Sequence, residues 1–264
     1  MDNITKKGYH LSKSLIPLDV IQEIIHEIDN VFSVYTNSKD DLDGKIMKLF
    51  KDDFAGFYGC AQVCQNLMSV TRLSVCDTIQ SELKKLGLSS PSINTRPLIH
   101  FSSKHTAKSN SNWKLPAHQD WPSTQGSLNG VTCWIPLVQL DKELGPLEVN
   151  PGSHKLGYLD HEEIDGIPVI NNMELQFESI QMELGDALFF SNFLIHRSGE
   201  NTTDDRIRIT THFRYNDFEE PTFIDRKYPR HRVDKRKEGI LFPGFPTAEQ
   251  MTKVFDDSLL DDNR

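Results

Sequence analysis

The chain has 264 residues, 37% hydrophobic and 25% charged, the balance of a folded globular protein rather than a disordered one. Its formal net charge of -9 excludes a general nucleic-acid binder, because such proteins draw most of their affinity from neutralising phosphates with Lys and Arg. The opening MDNITKKGYHL has no apolar run after its basic residues, so no secretory signal or membrane span is expected, and a cytoplasmic location is. Four cysteines, Cys60, Cys64, Cys76 and Cys133, suit reduced thiols, and Cys60 with Cys64 lacks the second pair that a zinc site needs.

From Pro17 to Phe32 the residues Val20, Ile21, Ile24, Ile25, Ile28 and Val31 recur at helical spacing with acids between them, which predicts an amphipathic helix. A second such pattern runs through Leu73, Cys76, Ile79, Leu83 and Leu86 and stops at Gly87, a good helix-ending residue. Residues 1–91 therefore read as mainly helical.

The character changes near Ser92. From 92 to 216 short β-forming runs alternate with Gly, Pro, Asn and Asp, which is how antiparallel strands read. The strands predicted are Arg96 to Phe101, Gly130 to Leu137, Leu147 to Asn150, Ala187 to Phe190 and Arg206 to Tyr215, with turns at Asn150-Pro151-Gly152 and Gly185-Asp186. Helices first and strands after predict a mainly β barrel or sandwich with helices on one face, in one domain over 1–264. The polar SSKHTAKSNSNWK between Phe101 and Leu115 reads as a loop beside whatever follows it. Residues 217–264 read as an irregular extension with periodic content only from Thr247 to Phe255. It carries a basic run, Arg226, Lys227, Arg230, Arg232, Lys235, Arg236 and Lys237, which fits a solvated surface better than an anion site.

The chemistry concentrates at His118-Gln119-Asp120. On an extended strand residues i and i+2 share a face, so His118 and Asp120 can reach one metal ion together. His196 follows a turn and the apolar run Ala187-Leu188-Phe189-Phe190, which can deliver it from a second strand. Two His and one carboxylate on one face of an octahedral metal leave three positions open, the arrangement suited to a non-haem Fe(II) that holds a chelating cosubstrate and O2. A 2-oxoacid needs an anchor for its far carboxylate, and the planar fork of Arg fits best. On the following strand Arg206, Arg208, Thr210, His212 and Arg214 alternate with Ile207, Ile209, Thr211 and Phe213, which points the polar set into a lumen and the apolar set toward helices. Parity does not choose between Arg206 and Arg208.

The segments HQDW at His118 to Trp121, VTCWIPL at Val131 to Leu137, GPLEVNPGSHK at Gly145 to Lys155, GDALFF at Gly185 to Phe190 and HRSGENTTDDRIR at His196 to Arg208 resemble the phytanoyl-CoA dioxygenase family, in order and over roughly half the chain. The resemblance implies a double-stranded β-helix, or jelly roll, holding Fe(II) through His118, Asp120 and His196, with 2-oxoglutarate as cosubstrate. It favours Arg206 over Arg208 as the carboxylate anchor, counting back from His212-Phe213. It also adds the Ser198 hydroxyl to that carboxylate and sets Gln119 and Trp134 beside the cosubstrate. Related halogenases replace the carboxylate ligand with a small residue, so Asp120 points to hydroxylation of an aliphatic C–H, with release of succinate and CO2. The polar SSKHTAKSNSNWK loop and the basic C-terminal run lean toward a small polar or anionic metabolite as the substrate.

Plainer readings stand beside these. His154 lies in a turn and reads as structural, His212 as a lumen residue that is not a ligand, and Trp113 and Trp121 as packing aromatics. His100 and His105 carry no spacing argument. The competing functions are a 2-oxoglutarate-dependent protein hydroxylase and a cupin-like metal-binding protein or isomerase without O2 chemistry. Arg206 with Ser198 at the cosubstrate distinguishes the oxygenases from the latter.

Overall fold

The structure is a computed structural model and describes residues 2–106, 114–164, 167–171, 173–229 and 244–255. A short helix α1 (Asp2–Lys7) leads into strand β1 (Tyr9–Ser12), followed by helices α2 (Leu18–Thr36), α3 (Leu42–Asp52), α4 (Phe54–Cys64), α5 (Met68–Ser74) and α6 (Asp77–Lys85). The strands β2 (Pro91–Ile93), β3 (Leu98–Ser102), β4 (Val131–Pro136), β5 (Leu147–Val149), β6 (Glu162–Ile164) and β7 (Ile167–Val169) come next. The last are β8 (Glu178–Ser179), β9 (Ala187–Ser191), β10 (His196–Ser198) and β11 (Arg208–Asp217). Short helices α7 (Trp121–Thr124), α8 (Pro221–Asp225) and α9 (Ala248–Val254) complete the described chain. No described helix is long and apolar enough to cross a membrane.

The periodicity of α2 buries Ile21, Ile24, Ile28 and Phe32 along one stripe. The helix runs a turn beyond Phe32 and ends at Asn37, whose left-handed backbone returns its N–H to the Ser33 carbonyl. Its neighbours start on acidic caps, with the Asp41 side chain accepting from the Gly44 N–H and Asp53 from the Gly56 N–H. The pattern from Leu73 to Leu86 is split between α5 and α6, because Val75 and Cys76 leave helical geometry.

The main sheet has the order β1-β9-β4-β11, with β3 and β2 end to end along the far edge of β11, all antiparallel. A smaller sheet, β10-β5-β8, faces it, and β6 with β7 forms a hairpin. Alternation sorts the main sheet into two faces. Cys133, Ile135, Phe189, Ile209, Phe213 and Tyr215 pack against the helices, while Trp134, Leu188 and Phe190 join Leu147, Val149 and Ile180 of the smaller sheet. The result is helices on a sheet on a second sheet. The space between the two sheets holds the polar residues of β11, as their alternation predicts.

β1 is the departure in the N-terminal region. Four residues from a segment expected to be helical cap the exposed edge of β9, pairing Tyr9 with Phe190 and Ser12 with Ala187.

Candidate active site

His118 and His196 are joined backbone to backbone by an isolated antiparallel bridge, each N–H donating to the other's carbonyl at 3.0 Å. The expected strand through His118 and Asp120 is therefore a single bridge. The chain turns helical at Asp120, which caps α7. Asp120 still closes on the two imidazoles. The ligand atoms of His118, Asp120 and His196 lie within 4.8 Å of one another, and all three side chains are buried.

Each imidazole is fixed by a carbonyl two residues back: His118 Nδ1 donates to Pro116 O at 2.8 Å and His196 Nδ1 to Leu194 O at 3.0 Å. Because a carbonyl only accepts, both Nδ1 atoms carry the proton and both Nε2 lone pairs are available to a metal. Burial, with His196 beside it, pushes the His118 pKa down to about 3, and burial lowers His196 too, so both rings are neutral at physiological pH. Burial alone would raise the Asp120 pKa, but the Arg214 guanidinium holds it well below the usual carboxylate range. Arg214 Nη2 donates to Asp120 Oδ1 at 2.6 Å. The Thr132 hydroxyl donates to Asp120 Oδ2 at 2.8 Å and lies 2.8 Å from the Asn192 side chain. Two neutral imidazoles and one carboxylate on one face fit a non-haem Fe(II) with open positions and, among the described residues, lack the fourth ligand of a structural zinc site.

The family described as Phytanoyl-CoA dioxygenase (PhyH) matches residues 4–210. The chain belongs to the phytanoyl-CoA dioxygenase family. Methylphosphonate hydroxylase of Gimesia maris is 32% identical over 143 residues, which is 52% of this chain; the match spans 55% of the relative's own length. Among solved structures, the non-heme monooxygenase ThoJ superposes with a TM-score of 0.60 at 14% identity, covering 96% of this chain and 98% of its own. The non-heme alpha ketoglutarate dependent epimerase SnoN from nogalamycin biosynthesis gives a TM-score of 0.55 at 18% identity, over 81% of this chain and 78% of its own. At such identities these two show the fold, the jelly roll of phytanoyl-CoA dioxygenase family members.

Within this family frame, one anchor expectation needs correcting. Arg206 precedes the β11 ladder, and its exposed guanidinium meets Asp141 Oδ2 at 2.5 Å and Glu143 Oε2 at 3.3 Å, outside the cavity. Arg208 opens the strand instead and lines the cavity beside His118, His196 and Ser198. It is fully buried, and its Nη1 donates to the carbonyls of Gly145 and Gly199. Those glycines are required there: a Cβ on Gly199 would collide with the Pro146 carbonyl and one on Gly145 with Glu200, so only bare backbone lets the two loops meet around the guanidinium.

Gln119 also lies off the cavity. Its amide donates to Gly157 O at 2.9 Å and Phe193 O at 2.8 Å, because the residue between His118 and Asp120 faces the opposite way. Trp134 and Ser198 do line the cavity, and Ser198 Oγ accepts from the Leu115 N–H at 3.2 Å.

His100 is a cavity residue that sequence spacing missed. It pairs with Thr210 across β3 and β11 and stacks on His212 with ring centroids 4.5 Å apart. The alternation of Ile99 and Phe101, both buried toward the helices, was the available signal. His154 is buried in its turn with Nε2 donating to Thr5 O at 2.9 Å, and Trp121 packs on Phe193. Trp113 and the basic run from Arg230 onward lie outside the described residues, whereas Arg226 is a clip that donates to the carbonyls of Gln125 and Gly126.

Proposed function

We propose that this chain is an Fe(II)- and 2-oxoglutarate-dependent dioxygenase that hydroxylates an aliphatic C–H of a small polar or anionic metabolite. The observation that carries this reading is Arg208. It is a fully buried cation with no carboxylate partner among the described residues, its pKa pushed down to about 10 by burial, in a cavity lined by the two neutral imidazoles on which Asp120 closes. A buried charge of this kind calls for an anion, and the far carboxylate of a 2-oxoacid chelating at the triad supplies one. A cupin-like protein that binds a metal alone has no use for it.

When bound, Fe(II) with 2-oxoglutarate supplies the O2-dependent oxidation, with succinate and CO2 as coproducts. The chain's own residues position and enclose. His118, Asp120 and His196 present neutral nitrogen and ionised oxygen donors to one side of the metal. Arg208 receives the cosubstrate carboxylate, with the Ser198 hydroxyl beside it. Trp134, Leu147 and Phe190 wall the cavity with apolar surface and limit water. The Gimesia maris relative is named a methylphosphonate hydroxylase, and that name supports a small anionic substrate here.

The test is aerobic turnover of the Fe(II)-loaded chain with 2-oxoglutarate and a panel of small acids led by methylphosphonate, followed by succinate. Substrate-stimulated succinate that needs both Fe(II) and Arg208 supports the proposal. Failure to bind 2-oxoglutarate at all removes it.

A further inference from the structure

The oxygenase reading accounts for one of the two arginines in the cavity. Arg214 is the other, six residues further along β11, with its Cα about 20 Å from that of Arg208 by strand rise. Its side chain is 5% exposed. One of its three nitrogens, Nη2, is occupied by Asp120, while Nε and Nη1 are buried without a hydrogen-bond partner among the described residues. Buried donors of a charged group are almost always paired, so two open ones on a residue that lines the cavity mark a place for an acceptor.

Charge leads to the same conclusion, and here the argument rests on the oxygenase reading. Fe(II) carries two positive charges, Asp120 one negative and 2-oxoglutarate two negative, while Arg208 and Arg214 add one positive each. One positive charge is left in a buried chamber, and none of the described residues lining it is acidic. The cavity wall also carries the stacked His100 and His212, and burial with neighbouring His100 and Arg214 holds the His212 pKa well below its ordinary value. Those rings offer hydrogen bonds without adding a counter-charge.

We propose that Arg214, through Nε and Nη1, is the specificity-determining residue that receives an oxyanion of the substrate beside the metal. The group is a compact phosphonate or carboxylate, carried next to the C–H that is oxidised. Arg214 then has two tasks, orienting Asp120 with one nitrogen and the substrate with the others.

The experiment is anaerobic calorimetry on the full chain loaded with Fe(II) and 2-oxoglutarate, so that Arg208 is already engaged. Methylphosphonate and propionate are the two oxyanion probes, and dimethyl sulfone is the neutral control. At least one oxyanion should bind saturably and the sulfone should not; which one binds separates phosphonate from carboxylate. Arg214→Gln should weaken that binding at least about tenfold and Arg214→Lys at least about threefold, with Fe(II) and 2-oxoglutarate affinities of Arg214→Lys near those of the wild type. If Arg214→Gln loses the metal, Arg214→Lys decides. The proposal is overturned if both variants bind the oxyanion like the wild type. It is equally overturned if both lose Fe(II), which reduces Arg214 to a holder of Asp120. A wild-type chain that binds 2-oxoglutarate but neither oxyanion also overturns it and leaves the oxygenase reading intact, whereas no 2-oxoglutarate binding overturns that reading itself.

Discussion

Arg214 Nη2 stands 2.6 Å from Asp120 Oδ1, and each side chain is about as buried as the other. The carboxylate proposed to bind the metal is therefore half of a buried ion pair, and removing one partner leaves the other charged and unpaired. Such a loss costs about 3–5 kcal/mol. Asp120→Ala should lower the urea-unfolding free energy of the metal-free protein by about 3 kcal/mol. The double variant with Arg214→Met should recover most of that loss. A single variant within about 1 kcal/mol of the wild type contradicts a buried pair of this strength.

Arg206 and Arg208 should separate cleanly on replacement by alanine. Arg206 makes an exposed pair with Asp141 and Glu143, so its loss should leave 2-oxoglutarate affinity within about twofold. Arg208→Ala should weaken the same binding by about 100-fold or more, because the cosubstrate carboxylate loses its buried cation. Anaerobic titration of both Fe(II)-loaded variants reads the contrast directly, and a larger loss in Arg206→Ala than in Arg208→Ala rejects the anchor assigned here.

The same pair shows where sequence reasoning reaches its limit. Alternation along β11 correctly puts Arg208, Thr210, His212 and Arg214 on one face, because a strand repeats every two residues. That rule treats Arg206 and Arg208 alike. What separates them is where the ladder begins, and this depends on two non-local contacts, Ser102 across from Arg208 and Asp141 waiting for Arg206. The stripe of Ile21, Ile24, Ile28 and Phe32 was legible because it repeats over several turns. β1 was not, since four residues carry too little periodicity and the strand exists only by pairing with β9. His118, Asp120 and His196 could be picked out by residue type and order, and the fold brings them together even where the expected strand geometry does not hold.

Asp43 gives the fold a specific pH response. Burial is the main cause of its pKa rising to about 6, against a hydrogen bond from the Ile207 N–H, with Asp41 and Asp205 adding repulsion. A carboxyl whose folded value lies above its unfolded value favours the folded state below about pH 4, and the contribution is lost as pH rises through about 6. Asp43→Asn should therefore be more stable than the wild type at pH 7.5, with the difference vanishing below about pH 4. Thermal melts of the two proteins across that range check it, and a difference of the opposite sign contradicts it.

The helical layer is keyed to the main sheet by Phe101, whose ring meets Phe32 edge-on at 5.6 Å and Phe57 at 6.2 Å. It is fully buried. Phe101→Ala should destabilise by about 3–5 kcal/mol, and Phe101→Leu by less than about 1.5 kcal/mol. Urea titrations of the two variants test whether this contact carries the layer; a cost below about 1 kcal/mol for the alanine shows that it does not.

The central claim is that one buried cavity holds a metal at His118, Asp120 and His196 and a 2-oxoacid at Arg208. Its most direct measurement is anaerobic calorimetric titration of 2-oxoglutarate into the wild-type chain with Fe(II), without it, and into His196→Ala. The account predicts saturable one-to-one binding that needs both Fe(II) and His196. Binding of equal strength in all three, or none in the first, contradicts it.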